Sequence, residues 1–190
     1  IQRYFSEHNI DCLLTREPGG TEIAEQIRQV LLHSSSEESI LPETELLLMF
    51  AARSQHVSKC IKPALGQGRF VLSDRFIDAS YAYQGGGRGI AQSQLEMLDK
   101  WVVGETYPDL TLLFDIDPAL GLLRTKKRGR AHDRIEQEAF VFFERVRNAY
   151  LDRARKDKAR IKIVDASQTI TAVEAQLKTI LDDFMRTVTK

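Results

Sequence analysis

The sequence predicts an α/β domain, a doubly wound parallel sheet with helices on both faces. Short apolar runs of four or five residues alternate with longer segments of helical periodicity. The apolar runs lack period-two alternation, which suits strands covered on both sides. The chain has 190 residues, the size of one domain with a real core. A single domain over 1–190 is therefore expected, with no repeat or linker.

The elements follow in order. Ile1 to His8 reads as the last turns of a helix, and further residues are expected in front of it. Ile10 to Leu14 is the first strand candidate, followed by a helix over Glu22 to Leu32 that puts Ile23, Ile27, Val30 and Leu31 on one face. Pro42 suits a first helical position, and Glu43 and Glu45 suit the positive end of the helix dipole. From Leu46 the apolar stripe runs at helical spacing as far as Pro63. Strands are expected at Phe70 to Leu72, Leu110 to Phe114 and Ile161 to Val164. Helices are expected at Ser93 to Val103, Pro118 to Lys127, Ile135 to Arg155 and Ala172 to Arg186. Alternating strands and helices in this order specify a parallel sheet.

Composition excludes several functions. Lys+Arg and Asp+Glu both number 27, so no chain-wide basic footprint for nucleic acid exists. The longest apolar run, Leu46 to Ala52, has seven residues and cannot span a membrane. Cys12 and Cys60 lie in apolar segments and are expected to be reduced core residues of a cytoplasmic protein.

Ligands of such sheets bind beyond the carboxyl ends of the strands. There the chain places Thr15-Arg16-Glu17-Pro18-Gly19-Gly20, Asp74-Arg75-Phe76, Asp115-Ile116-Asp117 and Asp165-Ala166-Ser167. Arg53 falls on the apolar stripe beside Phe50, where a guanidinium needs an anion or carbonyl partner. An arginine at the position of Arg75 can clamp a phosphate with two parallel hydrogen bonds. The bland alternative is a structural pair with Asp74. Ser80, Tyr83 and Gln84 share one face if helical, and their polar groups suit a base edge. Gly85-Gly86-Gly87 lacks the Lys-Ser/Thr of a phosphate loop and reads as a flexible connection, with no role assigned to Arg88. Residues 124–134 carry seven potential cations against one acid, as a mobile anion-binding lid would. No metal-ligand spacing or Ser/His/Asp assembly is present.

Taken together, Thr15-Arg16-Glu17-Pro18-Gly19-Gly20, Phe50-Ala51-Ala52-Arg53, Asp74-Arg75-Phe76, Ala82-Tyr83-Gln84-Gly85 and Asp133-Arg134-Ile135-Glu136-Gln137-Glu138 resemble bacterial thymidylate kinases. The resemblance covers essentially the whole chain. It implies the P-loop nucleoside monophosphate kinase fold and transfer of the γ-phosphoryl group of ATP to dTMP, giving dTDP and ADP in dTTP synthesis. Mg2+ would be the cofactor, held mainly by nucleotide phosphates and the P-loop, and the assembly would be a homodimer. Arg53 would contact the thymine carbonyl, with Ser80 and Gln84 around the base and Tyr83 near the sugar C2′. Arg75 and Arg28 would hold the dTMP phosphate, and Glu17 would line that pocket. Arg124, Arg128 and Arg130 would face ATP and the transferring group, with Arg75, Arg124 and Arg128 as the catalytic set. Phe50 is favoured over Met49 to cover the thymine, for its π-face. The family's first strand and its Gly-x-x-x-x-Gly-Lys-Ser/Thr loop are expected ahead of Ile1 and do not occur among these residues. Without them, these residues are expected neither to close the sheet nor to turn over ATP. Two alternatives remain open: a kinase for another nucleoside monophosphate, and a non-catalytic nucleotide-binding protein without the P-loop.

Overall fold

A computed structural model describes residues 1–33, 38–127, 134, 135 and 138–188. Four strands are seen, β1 (Cys12–Arg16), β2 (Phe70–Asp74), β3 (Thr111–Asp115) and β4 (Ile161–Asp165). They form two parallel pairs, β1 with β2 and β3 with β4. The register sets Arg16 beside Asp74 and Asp115 beside Asp165, so each pair ends in charge at its carboxyl rim. No ladder joins β2 to β3 among the described residues. Each strand extends one or two residues beyond the apolar run that announced it, because polar Thr15, Arg16 and Asp74 still pair.

The helices flank these pairs. After α1 (Gln2–Glu7) and β1 comes α2 (Glu22–His33), where Thr21 Oγ1 accepts from the Ala24 amide at 3.3 Å. The stripe from Pro42 to Pro63 is α3 (Pro42–His56), a π-helical turn (Val57–Ile61) and α4 (Lys62–Gly66). After β2, α5 (Ile77–Ser80) runs into a second π-helical segment, Tyr81–Gly87. This corrects the reading of Gly85-Gly86-Gly87 as a flexible connection. These glycines let the segment lie flat on α8 (Phe140–Lys156), since a Cβ on Gly86 would stand 2.5 Å from the Ala149 Cβ. One on Gly87 would stand 2.5 Å from the Phe142 ring. The remaining helices are α6 (Gln92–Val102), α7 (Pro118–Lys127) and α9 (Ile170–Val188). Asp117 caps α7 by accepting from the Ala119 amide at 2.8 Å.

The main core lies between α3, α5 and α6, where Leu46, Phe50, Ile77, Ile90, Leu95 and Leu98 pack together. A second cluster joins α2 to α3 through Leu31, Leu32 and Met49, and a third joins the π-helical segment to α8 through Ala82, Phe142 and Val146. Cys12 and Cys60 are free, as expected, but only half-buried.

Asp78 on α5 ties the two halves together, a role that no motif signalled. Its buried carboxylate accepts from Thr111 Oγ1 (2.9 Å) of β3, Arg153 (2.7 Å) of α8, and Arg160 (2.7 Å) just before β4. Burial pushes its pKa up, but the hydrogen bond from Arg160 and the charges of Arg153 and Arg160 outweigh burial, and the net shift is down. A carboxylate depressed on folding stabilises the protein above its unfolded pKa, and that stabilisation disappears as acid protonates the native group. Asp78→Ala is expected to cost on the order of 3 kcal/mol at pH 7, because Arg153 loses its counter-charge and Arg160 is left with Asp157 alone among its described carboxylate partners. The difference between wild type and variant in urea midpoint should narrow as pH falls below about 4. A difference that stays constant across that range would show that the carboxylate charge is not what stabilises the fold.

Candidate active site

The first strand delivers its rim residues into a compact turn. The Glu17-Pro18 bond is cis, and Gly19 and Gly20 have φ of 135° and 83°. At Gly20 positive φ coincides with crowding: a Cβ would lie 2.5 Å from the His56 ring and 2.6 Å from Thr15 Oγ1. Arg28 of α2 donates to the Pro18 carbonyl at 2.8 Å, which sets it against this turn.

Glu17, Arg53 and Ser80 form one buried chain. Arg53 Nε donates to Glu17 Oε2 at 2.7 Å, Nη1 to Ser80 Oγ at 2.9 Å, and Nη2 to the Phe76 carbonyl at 3.3 Å. Arg53 and Glu17 are 2% and 5% exposed, so a charge in either would be costly without the other. Glu17 therefore positions Arg53, rather than simply lining a phosphate pocket as expected. His56, buried one turn along α3, lies 3.0 Å from Glu17 Oε1 through Nδ1 and 2.7 Å from Thr15 Oγ1 through Nε2. Since a carboxylate only accepts, Nδ1 carries the proton. His56 was absent from the sequence reading, and Thr15 entered it only as part of the strand-end run, with no role of its own. Gly20 is the signal that could have found them, because a tight turn against a helix marks a close approach.

Phe50 also stands differently from expectation. Its ring is 2% exposed within the main core, and the Arg53 guanidinium sits 4.7 Å from its centroid. The face reserved for thymine is thus covered by Arg53. Met49, the alternative, is packed in the cluster between α2 and α3.

Gln84 lies on the π-helical segment beyond Ser80. It is fully buried, and Nε2 donates to Glu45 Oε1 at 2.8 Å. Glu45 was read only as an acid suited to the positive end of the helix dipole. It is instead 1% exposed, and it accepts from Arg88 Nη2 (3.0 Å) and Arg134 Nη2 (2.6 Å). Burial raises the Glu45 pKa, but the hydrogen bonds from Arg88, Arg134 and Gln84 outweigh this and hold it down. Arg88 thereby acquires a role: it joins Glu45 to Glu138 and lies 4.7 Å over the Phe142 ring.

Arg75 follows β2 with a φ of 68°, a left-handed conformation rare for a residue with a side chain. Ser73 Oγ donates to its carbonyl at 2.7 Å. The residue as a whole is exposed, while its guanidinium lies 4.9 Å over the Tyr83 ring. The structural pair with Asp74 is not seen among the described contacts. Arg75 and Tyr83 border a cavity of about 300 Å³ that Asp115, Phe143, Arg147 and Tyr150 also line. Across it Arg147 grips Asp115 with two hydrogen bonds of 2.6 and 2.9 Å.

Arg124 does not join these groups. It donates to the carbonyls of Ala166 (2.7 Å) and Ser167 (3.1 Å) in the loop after β4. Arg128 and Arg130 lie outside the described residues, as does most of the expected lid. The structure thus joins Glu17, Arg53 and Ser80 directly, sets Gln84 along the same helical segment, and places Arg75 with Tyr83 at the cavity.

The family model for thymidylate kinase matches residues 1–177. The chain belongs to the thymidylate kinase family. Among relatives of this family, the thymidylate kinase of Pseudomonas savastanoi pv. phaseolicola is 52% identical over 176 residues, 93% of this chain and 83% of that protein. That of Ruthia magnifica subsp. Calyptogena magnifica is 52% identical over 178 residues, 94% of this chain and 86% of that protein. The crystal structure of thymidylate kinase from Ehrlichia chaffeensis superposes with a TM-score of 0.74 at 31% identity, covering 94% of this chain and 87% of that one. This thymidylate kinase family member is therefore a phosphotransferase with the P-loop kinase fold. No helix among its described residues is long and apolar enough to cross a membrane.

Proposed function

We propose that this protein transfers the γ-phosphoryl group of ATP to dTMP, yielding dTDP and ADP for dTTP synthesis. The observation that carries the reading is the Glu17–Arg53–Ser80 chain, which fixes a guanidinium beside the helix that bears Gln84 and Tyr83. Arg53, Ser80 and Gln84 take the base. Tyr83 stands by the sugar, where it disfavours a 2′-hydroxyl. Arg75 and Arg28 hold the monophosphate, and Arg124, Arg128 and Arg130 serve ATP and the transferring group.

The chemistry needs little acid–base assistance. A phosphate monoester has a second pKa near ~6, so at neutral pH dTMP is already an anionic nucleophile. The task is to align two polyanions and neutralise the charge that spreads over the γ-oxygens, for which arginines suffice in kind. Mg2+ fits this donor set as an ion carried on the nucleotide. The described residues hold no group of three or more His, Cys, Asp or Glu side chains that could cage a metal. Magnesium commonly takes its ligands from phosphates, water and one or two carboxylates. When bound it would offset the negative charge of the phosphates. The working assembly is a cytoplasmic homodimer of single-domain chains, and α3, where Leu47 is 58% exposed, supplies its contact.

A substrate panel tests the reading. With ATP and Mg2+, the full-length protein is expected to phosphorylate dTMP best, dUMP less well, and dCMP, dGMP and thymidine at least ~100-fold less efficiently, the scale that a lost polar contact in a built site permits. Preference for any other acceptor would reassign the substrate. Nucleotide binding without turnover would favour a scaffold.

A further inference from the structure

We propose that Glu45 sets the polarity of the Gln84 side-chain amide, so that Gln84 faces the base as a hydrogen-bond acceptor and selects a pyrimidine with a ring N–H. This rests on the dTMP reading above and deepens it. Among the described residues, the Gln84 Oε1 atom is the one buried side-chain oxygen or nitrogen without a hydrogen-bond partner. Its amide nitrogen is committed, donating to Glu45 Oε1 at 2.8 Å.

Rotating the amide by half a turn would exchange these ends. The carbonyl oxygen would then face a carboxylate oxygen, with no proton between two acceptors. Glu45 has none to offer, because Arg88 approaches its Oε2 to 3.0 Å and Arg134 to 2.6 Å, which keeps it ionised. Only one setting of the amide is stable, and it leaves an acceptor shielded from water and unsatisfied. A group in that condition gains most from a donor. Thymine and uracil present N3–H, whereas cytosine presents a lone pair at N3. An acceptor of fixed sense favours the first two and repels the third, as sites built to pair a substrate N–H reject analogues that lack it.

Glu45 acts here through Gln84, as a positioning residue, and selectivity is the readout that distinguishes this from a structural role. Glu45→Gln lets the amide turn either way. Glu45→Asp keeps the charge but draws the carboxylate back by one methylene from Gln84 as well as from Arg88 and Arg134. Each variant is expected to raise the dTMP KM about 10-fold and to lower the dTMP-to-dCMP ratio of kcat/KM at least about 10-fold, with dUMP following dTMP. Loss of folded protein alone would lower both substrates together. An unchanged ratio in both variants, with dTMP still turned over, overturns the proposal. The unmodified protein gives an independent answer even where neither variant folds. With its glutamine side chains labelled with 15N, one Gln84 amide proton should be protected from exchange without nucleotide and remain so when dTMP is added. Rapid exchange, or loss of protection on binding, overturns the proposal while leaving the dTMP reading intact. Failure of the unmodified protein to phosphorylate dTMP removes the reading instead.

Discussion

Arg53→Ala is expected to lose both stability and dTMP binding. The wild-type guanidinium is 2% exposed and makes three hydrogen bonds, to Glu17, Ser80 and the Phe76 carbonyl. Its removal leaves the Glu17 carboxylate in the interior with His56 as its remaining side-chain partner among the described residues. Breaking a buried pair from one side costs about 3–5 kcal/mol, because the surviving charge stays out of water without compensation. For a chain of this size that is a fall in Tm of roughly 10 °C. The dTMP KM should rise at least about 100-fold, since the base also loses a charged donor. A double variant separates the two effects. Glu17→Leu with Arg53→Leu replaces the ion pair by apolar volume and is expected to recover most of the stability. Binding of dTMP should stay lost. If the double variant bound dTMP as wild type does, Arg53 would be a purely structural cation.

Arg75→Ala is expected to lower kcat/KM for dTMP about 10³-fold, with KM raised and kcat reduced together. The guanidinium lies over the Tyr83 ring at the border of the cavity, a position from which it takes a phosphate and holds the attacking oxygen in line. Little stability should be lost through contacts. The backbone requires a second variant, because φ at this position is 68°. Such a conformation costs of order 1 kcal/mol or more for any side chain and little for glycine. Arg75→Gly should therefore be the more stable of the two variants and equally poor in turnover. Steady-state kinetics with wild-type kcat and KM in either variant would refute the role.

Much of the fold was legible because short apolar runs between helical segments leave a distinctive mark, although the strands are not covered on both faces as expected: Leu14, Phe114 and Ile163 are 53%, 45% and 48% exposed. The segment at 118–127 was read at its observed bounds, with Pro118 at its start; that Asp117 caps it emerged only in the structure. The strands were found, but each reading stopped one or two residues short of the carboxyl end, since β-pairing continues through polar residues that periodicity scores as loop. The helix read from Ile135 begins only at Phe140. The glycine triplet misled for a physical reason. Glycine permits flexibility, but it also permits close packing, and only the presence of α8 decides between the two.

Within the site, the arginines were legible one at a time. A guanidinium on an apolar stripe demands a partner, and Arg53 has three. The partner could not be read, because Glu17 is 36 residues away in the chain. Phe50 was expected to be open to a base, yet the cation three residues later on the same helix covers its face. Glu45 looked like an ordinary first-turn acid. Its distant ligands Gln84, Arg88 and Arg134 make it a buried centre instead.

By itself, the sequence determined the order of strands and helices, the charged rims at the strand ends, and the family to which the motifs point. Those properties reside in local periodicity and in short contiguous words. The tertiary structure alone decided which acid meets which base, which ring is covered, and which way the Gln84 amide is turned. Desolvation makes every buried charge seek its complement, and that complement lies wherever folding brings it, at no fixed distance along the chain.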